Sequence, residues 1–449
     1  MYSALILAAG EGKRMNSSLP KVLHEVCFKS LIKWVLNAAG DAQEKIIVVG
    51  NGAEEVKKAL GDNLKYIYQA ERLGTGHAAA QARDLISGFD DILIIGADTP
   101  LITKQTLNKA FEYHKSNCNS VTMLTARMTD PRGYGMVLRG DSGNIIKIAE
   151  CDSLSAARES AAEVSSGIYF FDTKALLGAL DKITPGNPGG EYNLADTIEI
   201  IINENNKTGA FLLDDCSEIY DVNDRAQLAG ANEIMRKRIV SRLMGEGVSF
   251  ISPDTAYIGA EVQIGRDTVI MPNTIIEGET KIGSGCIIGP NSKIVSCRIG
   301  QNVEINNSVA LSSEIDSDTS IGPFAYIRPN CTVGKHVKIG DFVEVKNSVI
   351  GDGTKASHLT YIGDADVGKN INFGCGTIVV NYDGIKKYRS EICDDAFIGC
   401  NTNLVSPVKV GKGAFIAAGS TITDDIPDKA FAIARSRQTV KTDWKRKTK

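Results

Sequence analysis

Three short segments in the first hundred residues carry groups that could handle phosphate. Gly10-Glu11-Gly12-Lys13-Arg14 follows an apolar run. Its glycines let backbone N–H groups approach an anion closely, and Arg14 with Lys21 adds positive charge. Gln69-Ala70-Glu71-Arg72-Leu73-Gly74-Thr75-Gly76-His77 reads as a turn opening a helix, with residues small enough for a flat base or a phosphate to close in. Asp98 ends the very apolar run 92–97. A carboxylate beside bound phosphates suits Mg2+, which takes few hard oxygen ligands from protein and completes its shell from phosphate. The first loop lacks the G-x-x-x-x-G-K-[ST] pattern of a Walker loop, and G-x-G alone is as much a tight turn as a binding loop. Asp98 alone reads as a helix cap, and His77 as a structural helix-start residue. The coincidence of the three features points to a phosphate or nucleotide site.

The elements around them must bring them together. Apolar runs at 4–9, 45–50, 92–97, 120–126 and 167–171 read as buried strands. Helix-like stretches lie between, for example 20–39 and 76–86. Alternation of strands with helices implies a doubly wound, mostly parallel sheet, and such sheets bind ligands beyond the carboxyl ends of their strands. Residues 224–247 then form a helical stripe of Leu228, Ala231, Met235, Ile239 and Leu243. Arg236, Lys237, Arg238 and Arg242 make its charged side, with Asp221 or Asp224 as N-cap and Gly245 and Gly247 as stops. This reads as a spacer helix roughly 30 Å long at ~1.5 Å per residue.

From Ile258 the period changes. Isoleucine recurs at 258, 264, 270, 276, 282, 288 and 294, with Val262, Thr268, Thr274, Thr280, Cys286 and Ser292 two residues before the last six. A period of six fits neither a helix nor a lone strand; it fits a hexapeptide β-helix, with isoleucine inside and the small residue near a tight corner. Gly259, Gly265, Gly283 and Gly289 follow the isoleucine, where the chain turns sharply. The hexads slip near Cys297 and restart as Ile299, Ile305, Leu311, then Ile315, Ile321, Ile327, Val333, Ile339 and Val345; a last set is Ile398, Leu404, Val410, Ile416 and Ile422. About ten coils spaced ~4.8 Å make a prism near 50 Å tall.

Such a prism is a scaffold; chemistry is expected where the repeat fails. The longest break is Asn381-Tyr382-Asp383-Gly384-Ile385-Lys386-Lys387-Tyr388-Arg389, a polar projecting loop. A second irregular patch holds Lys355-Ala356-Ser357-His358-Leu359-Thr360-Tyr361. A lone histidine is usually structural. His358 is near Tyr361 and about two coils from Asn372 and Asn381, so a polar pocket at a subunit edge is expected, with Glu344 a candidate to orient the imidazole.

The totals agree. The chain has 449 residues, 43% apolar and 23% charged, enough for two or three soluble domains. At a net charge of −4 non-specific nucleic-acid binding is not expected of the whole chain, and the basic tail 441–449 reads as a solvated end. Ten cysteines without a C-x-x-C pair and five scattered histidines argue against zinc and disulfides and for a reducing compartment. The run 4–9 is too short for a membrane span or signal segment, so a cytoplasmic protein is expected.

Leu7-Ala8-Ala9-Gly10-x-Gly12-x-Arg14-Met15, Leu19-Pro20-Lys21-Val22-Leu23, Leu73-Gly74-Thr75-Gly76 and the Asp98 strand end resemble the sugar-1-phosphate nucleotidyltransferases. With its hexapeptide half the whole chain is similar to the bifunctional N-acetylglucosamine-1-phosphate uridyltransferase/glucosamine-1-phosphate N-acetyltransferases. The resemblance implies a Rossmann-like α/β nucleotidyltransferase domain over 1–225, a linker helix over 226–247, and a left-handed parallel β-helix acetyltransferase domain with a C-terminal tail over 248–449. It implies acetylation of glucosamine 1-phosphate by acetyl-CoA, then transfer of UMP from UTP to N-acetylglucosamine 1-phosphate, supplying cell-envelope precursors. Leu7, Ala8, Ala9, Gly10, Lys21, Gln69, Gly74 and Thr75 would hold the nucleotide, Gly135, Glu150 and Ser165 the sugar, and Asp98 with Asn223 the Mg2+. Arg14 and Lys21 would supply catalytic charge. His358 would be the base of acetyl transfer, with Arg328, Lys346, Tyr361 and Asn372 on the sugar phosphate. The Asn381-Tyr382 segment would border both sugar phosphate and acetyl-CoA, and Cys375, Cys400, Ala418 and Arg435 the acetyl-CoA path. UTP and acetyl-CoA would be cosubstrates and the assembly a homotrimer, with no nucleic-acid or membrane partner. The chain departs from the family at Ala97, where Gly is frequent before the Asp; at Ser165 or Ser166, where Asn is usual; and at Cys375 and Cys400, where Ala and Ser are frequent. Two competing readings are a single-activity nucleotidyltransferase with a scaffold β-helix and a regulatory subunit on the same folds. Retention of Arg14, Lys21, Asp98, Asn223 and the His358–Tyr361 patch speaks against both.

Overall fold

The computed structural model describes residues 1–140, 143–150, 162–185 and 190–446, without the side chain of Glu150. It comprises two compact units, Met1–Met235 and Arg236–Lys449.

The first unit is organised on the strand Ser3–Ala8. Its residues alternate between two cores: Ile6 packs with Ile32, Val35 and Ile95 on one face, Leu5 with Ile46, Ile94 and Phe171 on the other. Both faces are covered, which explains why the strand is apolar throughout rather than alternating. Lys45–Val49 and Asp91–Gly96 flank it in parallel. The main path of the sheet runs Thr208–Leu212, Val121–Met128, Ala162–Asp172, Asp91–Gly96, Ser3–Ala8, Lys45–Val49, Lys65–Tyr68; Gly135–Arg139, paired with Ala162–Asp172, and then Ile145–Glu150 bring it to nine strands among the described residues.

Two expectations for this unit change. The segment at 167–171 is the end of a longer strand, Ala162–Asp172, which runs antiparallel between two neighbours. Its register shifts between Ser165 and Tyr169, around Gly167 at φ 73. Such a bulge bends the strand and re-aims its side chains. The stretch 20–39 is helical only over Leu31–Ala38. Before it come a 3-10 turn, Lys21–Leu23, and a ribbon, Glu25–Val26 with Lys29–Ser30. Cys27 and Phe28 at φ 46 and 64 turn that ribbon, a conformation no helix accommodates.

The connector is the helix Arg225–Gly245. Asp224 is its cap, accepting from the Gln227 N–H at 2.8 Å. Ala231, Met235, Ile239 and Leu243 are buried as the stripe requires. Arg236 is not on the charged side: it is 2% exposed, and its guanidinium donates to the Pro253 carbonyl and the Asp254 carboxylate.

The second unit is a left-handed parallel β-helix. Its short strands stack into three parallel sheets of 11, 10 and 9 strands among the described residues. Every third hexad meets in register: Ile258 on Ile276 on Ile294, Ile264 on Ile282 on Ile299, Ile270 on Ile288 on Ile305. The small inner residues are buried and join the coils. Thr268 donates to the Gly283 carbonyl at 2.9 Å and accepts from the Cys286 N–H at 3.1 Å. Leu311 is not an interior residue; Ala310 is buried in that coil and stacks on Ile294. At Gly289 the glycine after isoleucine does carry a turn, with φ 99, but at Gly265 and Gly283 it has another cause. Gly265 and Gly283 do not carry a left-handed φ. That conformation falls two residues on, at Asp267 and Gly285. A Cβ on Gly265 would sit 2.6 Å from the Gly283 carbon, and one on Gly283 2.6 Å from the Gly300 carbon, so glycine answers the close approach of the next coil.

Candidate active sites

Leu7 pairs with Gly96, and the Ala97 N–H reaches the Leu7 carbonyl at 2.9 Å. The loop after Ala8 and the side chain of Asp98 therefore emerge together at the carboxyl edge of the sheet, the position at which open α/β sheets bind ligands. They open into a cleft of about 1100 Å³ lined by Leu7, Ala8, Ala9, Gly10, Arg14, Lys21, Gln69, Gly74, Thr75, Asp98, Gly135 and Ser165, twelve of the sequence-chosen residues. Glu150 pairs its backbone with Gly135; its side chain lies outside the described residues.

The glycines divide in purpose. Gly10 has nothing within 4 Å of a would-be Cβ and faces open space. Gly12, at φ 65, makes room for Lys21, whose Cβ would lie 2.8 Å from an added methyl. At Gly74 a Cβ would meet the Tyr192 backbone, 2.9 Å from its nitrogen, so chain packing also requires glycine at this edge of the cleft. The Gln69 amide faces the Gly74 carbonyl at 3.2 Å and His77 Nδ1 at 3.0 Å; His77 thus pins the turn, as expected of a structural histidine. The Ser165 hydroxyl meets the Tyr169 hydroxyl at 3.1 Å.

At the cleft floor Lys21 Nζ donates to Asp98 Oδ2 at 2.5 Å and to Asn223 Oδ1 at 3.0 Å. Asn223 Nδ2 donates to Asp221 Oδ2 at 2.5 Å, and the Tyr134 hydroxyl to Asp221 Oδ1 at 3.3 Å. Burial, then the Asp98 charge, push the Asp221 carboxyl up. Burial and Asp221 do the same to the Tyr134 phenol. Two oxygens, one carboxylate and one amide, thus converge on a single cationic point. That is a donor set suited to a hard divalent cation completed by phosphate oxygens. Among the described residues no group of three or more His, Cys, Asp or Glu side chains forms a metal site by itself. Asp221, read in the sequence only as a possible helix cap, belongs to this network; the spacing Asp221-x-Asn223 was its one visible signal.

In the β-helix His358 ends the strand Lys355–His358 and lies in register with Asp341. His358 Nδ1 and Asp341 Oδ1 are 2.5 Å apart. The imidazole holds the Asp341 carboxyl below the usual carboxylate range. Asp341, not Glu344, therefore orients the histidine; Glu344 is bonded to Arg328 at 2.9 Å, one coil away on the neighbouring sheet. Register carries the column onward. The Gly376 N–H reaches the Leu359 carbonyl, the Asn401 N–H the Cys375 carbonyl, and the Gly419 N–H the Cys400 carbonyl. Arg435 donates to the Ala418 carbonyl at 2.9 Å. Cys375, Cys400, Ala418 and Arg435 thus follow His358 coil by coil along one edge.

Around the next corner Lys346, Tyr361 and Asn381 meet. Asn381 Nδ2 reaches the Tyr361 hydroxyl at 3.4 Å and the Asp364 carboxylate, and Lys346 Nζ lies 3.3 Å from the same carboxylate. Lys387 sits against Lys346, whose neighbouring ammonium lowers its pKa. The loop it belongs to is anchored by Arg389, which donates to the Asn347 carbonyl and pairs with Asp366. Tyr382 is exposed and donates to the Gly384 carbonyl at 2.6 Å, within its own loop. Asn372 stacks on Lys355, on the His358 sheet. Asp341 and Asp364 were not singled out in the sequence, because single charged residues in a repeat carry no signal until the coils align them; Lys387 was one of several charged residues in the projecting loop.

A nucleotidyl transferase family model matches residues 3–226, and a bacterial transferase hexapeptide model matches 261–295, 312–347 and 389–424. The bifunctional protein GlmU of Acetivibrio thermocellus is 52% identical over 98% of this chain and 96% of its own. That of Caldanaerobacter subterraneus subsp. tengcongensis is also 52% identical, and that of Clostridioides difficile 46%, over 98% and 99% of this chain and 97% of each. The chain belongs to the bifunctional GlmU family. It is therefore a uridyltransferase and an acetyltransferase of UDP-N-acetylglucosamine synthesis. Read as a GlmU family member, the Lys21–Asp98–Asn223 cluster falls in the nucleotidyl transferase region, while Asp341 lies within a hexapeptide match and its partner His358 in the stretch between that match and the next. No described helix is long and apolar enough to cross a membrane.

Proposed function

We propose that the enzyme acetylates glucosamine 1-phosphate with acetyl-CoA in its β-helix domain (248–449). Uridylation of the resulting N-acetylglucosamine 1-phosphate then takes place in its α/β domain (1–225), and the helix over 226–247 links the two. The observation that carries this is the pair of chemically distinct constellations, one cationic and oxygen-lined, one a histidine–carboxylate pair.

In uridyl transfer an oxygen of the sugar 1-phosphate attacks the α-phosphorus of UTP and pyrophosphate leaves. Both reactants are anions, so charge neutralisation and in-line positioning matter more than proton transfer. Lys21 and Arg14 supply positive charge, while the loop 7–10 with Gln69, Gly74 and Thr75 seats the nucleotide and Gly135, Glu150 and Ser165 the sugar. Asp98 and Asn223 would hold Mg2+, which neutralises phosphate charge when bound; Lys21 would then turn its ammonium to the substrate.

In acetyl transfer the sugar amine attacks the thioester carbon and the CoA thiolate leaves. His358, its Nδ1–H donated to Asp341, presents Nε2 to take the amine proton. Arg328, Lys346, Tyr361, Asn372 and Asn381 hold the sugar phosphate, and Tyr382, Cys375, Cys400, Ala418 and Arg435 flank acetyl-CoA. The flat, exposed faces of the prism, including the stacked rings of Phe397 and Phe415, suit a homotrimer in the cytoplasm with acetyl sites between chains. The test is incubation with glucosamine 1-phosphate, acetyl-CoA, UTP and Mg2+, with mass detection of each sugar. Both N-acetylglucosamine 1-phosphate and its uridine diphosphate form are expected; only one of the two steps overturns the reading.

A further inference from the structure

The corners of the β-helix carry ladders of asparagine and aspartate. Asn273, Asn291 and Asn307 show the plain form: Asn273 Nδ2 donates to Asn291 Oδ1, and Asn291 Nδ2 to Asn307 Oδ1, each at 3.0 Å. All three have left-handed φ, which asparagine tolerates. An amide donates at one end and accepts at the other, so such a ladder runs in one direction.

Asn347, Asp364 and Asn381 stack at a corner in the same way, but the direction breaks. Asn347 and Asp364 have φ 46 and 50, and Asp364 N–H donates to the Lys346 carbonyl at 2.9 Å. A carboxylate only accepts. Asn347 Nδ2 therefore donates to Asp364 Oδ1 at 2.6 Å from the coil before, and Asn381 Nδ2 to Oδ2 from the coil after. Lys346 Nζ approaches the same Oδ2. Burial disfavours the charged carboxyl, but Asn347, Asn381 and Lys346 outweigh it and keep it ionised below the usual range. The ladder ends on Asp364 from both sides.

We infer that Asp364 is a positioning residue of the acetyl-transfer site: its carboxylate turns the Asn381 amide so that Oδ1 faces a sugar hydroxyl, and holds Lys346 extended beside Lys387 for the phosphate. Asn at this position could donate as well as accept, so the ladder could again run one way and Asn381 could flip. Without the negative charge, the facing Lys346 and Lys387 ammoniums would also repel each other and part. The inference rests on Lys346 and Asn381 binding the sugar phosphate, as proposed above.

The test is Asp364→Asn in the full-length enzyme. Asparagine fits such corners without strain, as Asn291 and Asn307 show, so the fold should persist. Calorimetric titration with glucosamine 1-phosphate should show Kd raised about tenfold or more, the loss expected when a hydrogen bond to a charged group is removed. KM for the sugar phosphate should rise likewise, with uridyl transfer unchanged. Asn381→Ala should show a similar loss, and the double variant less than the product of the two, since both act through one amide. Asn347→Ala removes the other half of the ladder while leaving Asn381 bonded, and serves as the reference if melting temperature falls. The inference requires the sugar-phosphate Kd to rise in Asp364→Asn and not in Asn347→Ala. Unchanged Kd in Asp364→Asn, or equal rises in both, overturns it. Absence of acetyl transfer in the unaltered enzyme overturns instead the reading on which it rests.

Discussion

Single side chains decide the chemistry at each site, and each constellation predicts a selective loss. Lys21, Asp98 and Asn223 share one cationic point. Asp98→Asn removes the carboxylate that Lys21 contacts there. Uridyl transfer should fall by about a hundredfold or more, the scale of losing a preorganised electrostatic contact to the transition state. Acetyl transfer by the same protein should be intact, and coupled assays for pyrophosphate and free CoA measure both; equal loss would mean a shared site or a misfolded chain. At the other site the 2.5 Å contact makes Asp341 the group that fixes the His358 ring. Asp341→Asn should lower kcat for acetyl transfer about tenfold to a hundredfold through a wrongly oriented imidazole, the direction seen when a histidine loses its orienting carboxylate. KM for acetyl-CoA and uridyl transfer should not move. Glu344, the nearer guess from sequence, is engaged by Arg328 and should behave as a binding-site support.

At the scale of elements, buried polar groups show how packing sets stability. His114, on the helix Lys104–Ser116, is buried against the strand Val121–Met128. Its Nδ1 meets the Thr122 hydroxyl at 2.9 Å, and its Nε2 lies 3.5 Å from Asp91. Burial lowers its pKa below 6.5 more than Asp91 raises it. The unfolded chain therefore binds this proton more readily than the folded one. The contribution is full above the unfolded pKa and is lost as pH falls through the folded value. Melting temperature should therefore drop more steeply between pH 7 and pH 5 in the natural protein than in His114→Gln, which keeps a polar partner for Thr122 without a titrating ring. Parallel slopes would remove His114 from the acid response. The β-helix shows the complementary case: its hydroxyl-bearing inner residues are neutral, fully bonded and indifferent to pH in this range.

For the whole molecule the two activities should differ in their dependence on assembly. If acetyl sites form between chains of a homotrimer, dilution below the dissociation range should lower acetyl transfer per chain while uridyl transfer per chain stays constant. Mass photometry over the same dilution series reports the species, and full acetyl transfer by a monomer would refute the shared site. The chain by itself determined the architecture: an apolar strand series with helices between, a period of six, and a connector with a usable cap. These are local patterns, repeated often enough to survive single errors such as Leu311 for Ala310 or a helix drawn through Cys27 and Phe28. Most of the lining of the α/β cleft was legible for the same reason, because glycine loops and a strand-end carboxylate announce themselves in a row. The antiparallel strand Ala162–Asp172, the burial of Arg236 and the partners of His358 were decided only in three dimensions. Asp341 and His358 stand 17 residues apart, as do Asp364 and Asn381, one coil in each case. Nothing in a linear reading ranks one such pair above the next. Only the coil-to-coil register brings a particular carboxylate within hydrogen-bond distance of a particular ring or amide, and charge–dipole contacts lose their force within a few ångströms of misalignment.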